Sequence, residues 1–141
     1  DPPQDTRNSL NWHQDSAYYP QNQSGLNGLV CWIPILPVNL ENGTMQFLPG
    51  SHEEGKLDLS GYKKDSTTSE QYFISEELIQ KYKAVNSVGE AGDAFFFNMD
   101  IIHKSGINQT DKLRIVAGCR YHRMLSSDFL TGELRYIPDK I

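Results

Sequence analysis

The apolar residues of this 141-residue chain come in short runs, and this pattern limits its fold more than any other feature. Each run has the length and the β-branched or aromatic content of a strand, and glycine, proline or asparagine stands between the runs. No internal repeat or linker divides the sequence, so residues 1–141 are treated as a single domain. We predict strands at about 28–36, 43–48, 84–88, 94–98 and 113–122, and a shorter one around Ile107.

Turn and helix signals refine this pattern. Asn42-Gly43 opens the second run, which is therefore either the return arm of a hairpin or a change of sheet. Ser75 is an N-cap residue followed by two acids and by apolar residues with helical spacing, so a short helix is predicted over 75–83. The polar stretch over 53–71 predicts a long surface excursion. The fold class is therefore all-β with a minor helix, for which a sandwich or barrel is the natural architecture.

Charge and composition exclude several classes of partner. The chain has 13 Lys and Arg against 18 Asp and Glu, and its net charge of -5 makes nucleic acid and anionic membranes poor partners. No apolar stretch approaches the roughly 18 residues that cross a bilayer, and the first residues do not resemble a signal peptide. Cys31 and Cys119 form no Cys-x-x-Cys motif, so we expect two buried thiols in a reducing, cytoplasmic compartment.

A candidate metal site begins at His13 and Asp15. In extended backbone, residues i and i+2 project from the same face, so these two side chains can share one ion. Two protein ligands hold a divalent cation weakly, and the third must come from His52, His103 or His122. His103 is the best candidate, because an apolar strand precedes it and would deliver it to the mouth of a barrel.

Two histidines and one carboxylate leave three coordination positions open, as in non-haem Fe(II) oxygenases. Arg114 follows His103 by eleven residues (114 minus 103) and lies in an apolar run. The planar fork of a buried arginine suits bidentate capture of a carboxylate. Its partner could be a dicarboxylate co-substrate that also chelates the metal, or a structural carboxylate such as Asp93.

This set of residues resembles the phytanoyl-CoA dioxygenase family of Fe(II)- and 2-oxoglutarate-dependent oxygenases. The resemblance covers roughly residues 11–122 and implies a double-stranded β-helix, or cupin-like jelly roll, with the metal at one mouth. It rests on His13-x-Asp15, on the segment 41–52 with its Asn-Gly and Pro-Gly-Ser-His elements, on Gly92-Asp93, and on His103 followed by Arg114.

The resemblance also assigns roles to individual residues. It implies that His13, Asp15 and His103 are the iron ligands and the catalytic centre. Arg114 would bind the distal carboxylate of 2-oxoglutarate, and Ser105 and Trp32 would add contacts to this co-substrate. Asp15 stands where related halogenases carry a small residue, so hydroxylation is favoured over halogenation.

The reaction that the resemblance implies is the hydroxylation of a small organic substrate by O2, coupled to decarboxylation of 2-oxoglutarate to succinate and CO2. Two alternatives remain open at this point. One is a catalytically silent jelly roll that binds a ligand or a non-redox metal. The other is a cupin-like enzyme that needs no 2-oxoglutarate, which would leave Arg114 unexplained.

The chain departs from the family at its start. Family members carry a substantial N-terminal region before His-x-Asp, whereas twelve residues precede His13 here. The domain is therefore predicted to be partial at its N-terminus. Either the chain is a fragment of a longer reading frame, or it forms a homo-oligomer in which a partner subunit completes the sheet.

The remaining histidines and Asp93 have simpler structural interpretations. His52 follows the turn residues Pro49-Gly50 and is expected to have a structural or rim role. His122 stands beside Arg120 and is expected at a solvated strand end. Asp93 is expected to form a turn and to cap nearby N–H groups.

The aromatic residues divide between core and site. Phe95 and Phe97 are predicted to pack in the core, with Phe96 on the opposite face of its strand. Tyr18 and Tyr19 closely follow His13 and Asp15 in the chain, and either a pocket-lining or a packing role is open for them.

Overall fold

The structure is a computed structural model that describes residues 2–4, 11–19, 24–58, 74–123 and 125. The predicted excursion over 53–71 lies outside the described residues from position 59 onward. Its first residues form the end of a short 3-10 helix, Ser51–Glu54. No helix in the described part of the chain is long and apolar enough to cross a membrane.

Two antiparallel sheets of three strands each make up the described fold, which confirms the all-β class with a minor helix. The first sheet has the order β4-β1-β6 and the second has the order β3-β2-β5. Further 3-10 turns occur at Asp15–Tyr18 and Gly25–Asn27. The elements are β1 (Gly28–Pro34), β2 (Met45–Phe47), α1 (Glu76–Gln80), β3 (Val85–Asn86), β4 (Phe95–Asn98), β5 (His103–Ser105) and β6 (Val116–His122).

Most predicted elements occur near their predicted positions. Ser75 caps α1 by accepting a hydrogen bond from the Leu78 N–H, although the helix is shorter than predicted. The strand predicted around Ile107 is wrong, because the pairing with β2 falls earlier, at β5. β6 begins at Val116 rather than at residue 113.

The change of sheet before β2 is the correct alternative to the hairpin. β1 pairs with β4 and β6, whereas β2 pairs with β3 and β5. Gly43 lies at the crossing with a φ of 83°, and a Cβ there would lie 2.5 Å from the carbonyl oxygen of Gly106. Backbone conformation and close approach therefore both require glycine at this position.

The inner faces of the two sheets enclose the core. Trp32, Val38 and Met45 form one buried cluster, against which the aromatic rings of β2 and β4 pack. Phe96 is 63% exposed on the opposite face of β4, as the strand alternation predicts. A second cluster packs below α1 and contains Leu48, Ile74 and Ile102.

The two cysteines differ in burial, which corrects one prediction. Cys31 is buried, but Cys119 is exposed, and both are free thiols. They are cross-strand partners on the outer side of the first sheet. Cys119 belongs to β6, which ends that sheet in the described part of the chain, so it has a neighbouring strand on one side only.

Candidate metal centre

A backbone pair brings the two predicted histidine ligands together. His13 and His103 form an antiparallel bridge, in which each N–H donates to the carbonyl of the other at 2.9 Å. Residues paired in this way project their side chains from the same face. The two imidazole ring centres are accordingly 4.3 Å apart.

Asp15 completes the group, as the His-x-Asp spacing predicts. Its Oδ1 lies 3.6 Å from Nε2 of His13 and 3.6 Å from Nε2 of His103. All three side chains are buried, and their ligand atoms lie within 4.8 Å of one another. No other group of three potential ligands occurs among the described residues, so neither His52 nor His122 joins this centre.

The hydrogen bonds of the two rings fix which nitrogen can bind an ion. Nδ1 of His13 lies 2.7 Å from the Asn11 carbonyl, and Nδ1 of His103 lies 2.9 Å from the Ile101 carbonyl. A carbonyl oxygen only accepts, so each Nδ1 must carry the proton. Each neutral ring therefore presents the lone pair of Nε2 towards Asp15, which is the form that binds metals.

Gln14 holds the backbone between the first two ligands and was missed by the sequence analysis. Its backbone is extended, with φ -108° and ψ 135°, so its side chain points away from the ion site. The amide nitrogen donates to the carbonyls of Gly55 and Asp100, and the amide oxygen accepts from Leu57 N–H. The only available signal was the position of a polar residue between two ligands.

The Pro-Gly-Ser-His segment holds the strand that carries His103. The hydroxyl of Ser51 is buried and accepts a hydrogen bond from the Ile102 N–H at 2.8 Å. The Leu48 N–H donates to the Ile102 carbonyl at 2.9 Å. His52 itself is half-buried at the rim of this turn. The segment is distinctive in sequence because it positions the residue before a ligand.

Aromatic rings surround the histidine ligands. Phe97 meets the His103 ring edge-on at 4.9 Å, and Phe47 lies 6.1 Å away. Tyr18 meets the His13 ring edge-on at 5.9 Å. Apolar packing of this kind restricts rotation of the imidazoles and keeps water away from them.

Tyr19 and His122 pack against each other, with ring centres 5.0 Å apart. His122 is therefore half-buried, and the expectation of a solvated strand end is corrected. Asp93 behaves as predicted, because its carboxylate accepts a hydrogen bond from the Glu90 N–H at the turn.

Arg120 contacts the carboxylate ligand and was also missed. Its Nε donates to Oδ2 of Asp15 at 2.9 Å, whereas Oδ1 faces the histidines. The strand alternation of β6 was the available signal, since Arg120 shares the inner face with Val116. It could not identify the partner, because Asp15 lies 105 residues away in the chain.

Burial and charge set the protonation of the centre. Burial lowers the pKa of His103 to about 4, so its ring is neutral at neutral pH. Burial alone would raise the pKa of Asp15, but its hydrogen bond with His13 and the positive charge of Arg120 help to outweigh burial and hold that pKa well below its usual range. An ionised carboxylate and a neutral imidazole are the forms in which Asp15 and His103 could bind a divalent cation.

Two of the residues predicted to bind a co-substrate lie on strands beside the first buried cluster. Trp32 belongs to that cluster with Met45, and Met45 is the cross-strand partner of Ser105. Val116 packs against the same cluster, and Arg114 precedes Val116 by two positions in the chain.

Arg114 is buried although it is an arginine. Burial lowers the pKa of its guanidinium. It has interactions within the protein. Asp93 is exposed and engaged in its own turn.

The donor set fits a catalytic rather than a structural metal. Two imidazole nitrogens and one carboxylate oxygen are available, and no cysteine belongs to the group. This combination suits Fe(II) with open coordination positions, whereas closed structural sites use four protein ligands. Burial of all three side chains adds to the cost of leaving the polar group without an ion.

Comparisons with known proteins agree with this geometry. The sequence profile of the family described as "Phytanoyl-CoA dioxygenase (PhyH)" matches residues 2–116. The human protein "Phytanoyl-CoA dioxygenase, peroxisomal" is 34% identical over 111 residues, which are 77% of this chain and 32% of that protein. The bovine protein of the same description is 30% identical over the same length. The chain spans about a third of the length of these curated relatives.

Solved structures support the fold. EctD from S. alaskensis with bound Fe matches 86% of this chain with a TM-score of 0.66 and 22% identity, and the match covers 41% of that chain. The non-heme monooxygenase ThoJ matches 81% of this chain and 40% of its own, with a TM-score of 0.59 and 28% identity. These matches confirm the predicted cupin-like jelly roll. The profile match over residues 2–116 establishes that the chain belongs to the phytanoyl-CoA dioxygenase family.

Proposed function

We propose that this protein is an Fe(II)- and 2-oxoglutarate-dependent dioxygenase that hydroxylates a small organic substrate. The observation that carries the proposal is the buried convergence of His13, Asp15 and His103, with their free ligand atoms within 4.8 Å of one another. Family membership supports the same assignment.

In this proposal, His13 Nε2, Asp15 Oδ1 and His103 Nε2 would hold Fe(II). The bound ion, with 2-oxoglutarate and O2, would supply the oxidising chemistry, and 2-oxoglutarate would leave as succinate and CO2. The protein contributes three ligands and leaves three positions for co-substrate and O2. Because Asp15 fills the carboxylate position, halide has no vacant protein-ligand position to occupy.

The proposed anchor of 2-oxoglutarate is Arg114. Its buried fork would bind the carboxylate far from the metal by two parallel, charge-assisted hydrogen bonds. Ser105 and Trp32 would contact the same molecule from the inner faces of β5 and β1. Trp32 packs in the buried cluster with Met45, the cross-strand partner of Ser105, and this supports the roles of these two residues.

The aromatic surroundings would protect the reaction from water. Phe47, Phe97 and Tyr18 flank the imidazole ligands, and a site closed by such rings limits side reactions of a strong oxidant. Tyr18 packs edge-on against the His13 ring, so it lies beside the centre.

The substrate class, the cellular location and the assembly are proposed on grounds other than the geometry of the site. The relatives are described as phytanoyl-CoA dioxygenases, and some as peroxisomal. We propose a small organic substrate and a cytoplasmic location on the sequence arguments alone. A partner subunit that completes the sheet is likewise a prediction, which the mass of the purified protein measured by light scattering would test.

An anaerobic titration tests the proposed function. Fe(II) followed by 2-oxoglutarate should give a weak visible charge-transfer band, because the co-substrate would chelate the ion at two of the three open positions. The His103→Ala variant should retain no iron and give no band. Admission of O2 should then release succinate in step with loss of 2-oxoglutarate.

The alternative functions give different results in the same titration. A silent binding protein would hold a divalent ion but give neither band nor succinate. A cupin-like enzyme that needs no co-substrate would act in the absence of 2-oxoglutarate. Either result would reject the proposed dioxygenase.

A further inference from the structure

We propose that Arg120 is a positioning residue that selects which oxygen of Asp15 binds the metal. The inference rests on the proposed function, because it assumes that the three converging side chains hold an ion. It assigns a task to a side chain outside the ligand set and outside the predicted co-substrate residues.

The two oxygens of Asp15 have different surroundings. Oδ1 lies 3.6 Å from Nε2 of each histidine, and Oδ2 accepts the Nε–H of Arg120 at 2.9 Å. The carboxylate side chain is 5% exposed, so water cannot readily replace the arginine as donor. Arg120 therefore fixes the rotation of the carboxyl group, with one oxygen held back and the other presented to the histidines.

This selection matters because a free carboxylate can bind a metal through one or both oxygens. Binding through both would use a position that the co-substrate or O2 needs. A charge-assisted hydrogen bond to Oδ2 competes with that second bond and keeps the carboxylate in a single orientation. The expected result is one oxygen on the ion and three open positions.

The strand is built to let the guanidinium reach this place. Arg120 projects from the inner face of β6, where it pairs with Val30. Gly118 precedes it on the same face, and a Cβ at that position would lie 3.2 Å from Nη1 of Arg120. The absent side chain at Gly118 thus leaves the space in which the guanidinium lies.

A simple charge effect makes the opposite prediction. The Arg120 side chain is 37% exposed, and a partly exposed ion pair contributes little to stability. A nearby positive charge repels a divalent cation, so removal of the charge alone would strengthen metal binding. A positioning role predicts weaker metal binding when the hydrogen bond is lost, even though the positive charge is removed as well.

Two variants separate the hydrogen bond from the charge. In Arg120→Gln, an amide N–H stands at the same point along the side chain as the arginine Nε, but the charge is gone. In Arg120→Met, a methyl group stands there, so both donor and charge are gone. Arg123→Met is the matched control, because Arg123 is an exposed cation just beyond β6.

The experiment is an anaerobic calorimetric titration of each protein with Co(II) and with Fe(II), after circular dichroism has verified the fold. Arg120→Met should bind 10- to 100-fold more weakly than wild type, which is the usual effect of losing a partner of a metal ligand. Arg120→Gln should remain within about threefold of wild type, and Arg123→Met should be unchanged. The visible absorption of bound Co(II) should change in Arg120→Met only, because it reports the arrangement of ligands.

The outcomes separate this inference from the proposed function. If wild type binds neither metal, the proposed metal centre fails, and the inference fails with it. If wild type binds the metals, and Arg120→Met binds them as tightly as wild type and Arg120→Gln do, with the same Co(II) spectrum, the inference alone is overturned. Tighter binding by both variants would also overturn it, in favour of the charge effect.

Discussion

Arg114 and Arg120 lie six residues apart, the first just before β6 and the second within it, and their surroundings differ. Arg114 is 4% exposed, and burial lowers the pKa of its guanidinium. Arg120 is partly exposed; burial alone would lower the pKa of its guanidinium, but the charge of Asp15 and the hydrogen bond with it raise it instead. One arginine is buried, and the other is partly exposed and bound to the Asp15 carboxylate.

The contrast shows that two arginines close together in the chain can have very different surroundings. Sequence reasoning selected Arg114 because an arginine in an apolar run is unusual and calls for an anion. It passed over Arg120 because that residue has polar neighbours, which are typical of a strand end. We therefore expect substitutions at the two positions to affect different ligands, co-substrate at Arg114 and metal at Arg120.

The largest expected effect is on co-substrate binding in Arg114→Ala. Loss of a bidentate, charge-assisted pair should weaken 2-oxoglutarate binding by roughly 2–4 kcal/mol, or about 30- to 1,000-fold. Titration of the iron-loaded protein with 2-oxoglutarate measures this change, and calorimetry with Co(II) should show unchanged metal affinity. Arg114→Lys keeps the charge but loses the fork, so its affinity for 2-oxoglutarate should lie between those of wild type and Arg114→Ala. Unchanged co-substrate affinity in Arg114→Ala would refute the assigned role.

Acid pH should lower the free energy of unfolding of the metal-free protein through protonation of His103. Neither arginine contributes, because guanidinium groups stay charged across the accessible pH range. The unfolded chain protonates this histidine near pH 6.5, whereas the folded protein does so only near a pKa of about 4. The stability present above pH 6.5 is therefore lost as the pH falls from 6.5 to 4, by at most about 3 kcal/mol. The pKa of Asp15 is also lowered, so further stability is lost below its unfolded value of 3.8.

Urea denaturation at a series of pH values measures this loss of stability. The matched variant is His103→Asn, whose free energy of unfolding should depend less on pH between 6.5 and 4. Parallel pH dependences of the variant and wild type would show that another group is responsible.

A third prediction concerns the hydrogen bond between Ser51 and Ile102 that supports β5, in which neither arginine takes part. Ser51→Ala leaves the buried Ile102 N–H without its acceptor and should cost about 1–3 kcal/mol of unfolding free energy. Ser75→Ala removes an exposed cap hydroxyl instead and should cost only about 0.5 kcal/mol. Thermal and urea denaturation of both variants compare the two costs. Equal costs would contradict the proposed support of the strand.

The smallest expected effect sharpens the comparison at Arg120. Gly118→Ala places a methyl group 3.2 Å from Nη1 and should displace the guanidinium slightly while leaving it in place. Metal affinity should fall by less than about fivefold, which corresponds to less than about 1 kcal/mol. Co-substrate affinity at constant metal loading should not change. A large loss of 2-oxoglutarate binding would show that the two arginines are not independent.

Local patterns predicted the elements of this fold better than their partners. The composition of 28–36 and the alternation of Phe95, Phe96 and Phe97 were sufficient for β1 and β4, because packing on one face leaves a period of two. The position of β5 was not predictable, because residues 103–105 are extended through pairing with β2 and, at His103, with His13, both distant in sequence. Which sheet a strand joins depends on contacts distant in sequence.

The same division holds for the site. The convergence of His13, Asp15 and His103 was predicted from residue type and spacing, since metal binding needs particular ligand atoms. Gln14 and Arg120 were not found, because glutamine and arginine have many other uses on a protein surface. Their roles follow from the hydrogen bonds that the fold allows them to make, and the sequence carries no local sign of those bonds.

The backbone bridge between His13 and His103 joins two parts of the chain that are synthesised at different times. These residues are 90 positions apart (103 minus 13), so a nascent chain on the ribosome carries two ligands long before the third exists. During that interval it offers one imidazole and one carboxylate, which hold iron weakly. Loading of the ion would then follow completion of the topology, and the bound ion would lock an early and a late part of the chain together by favouring the native state alone.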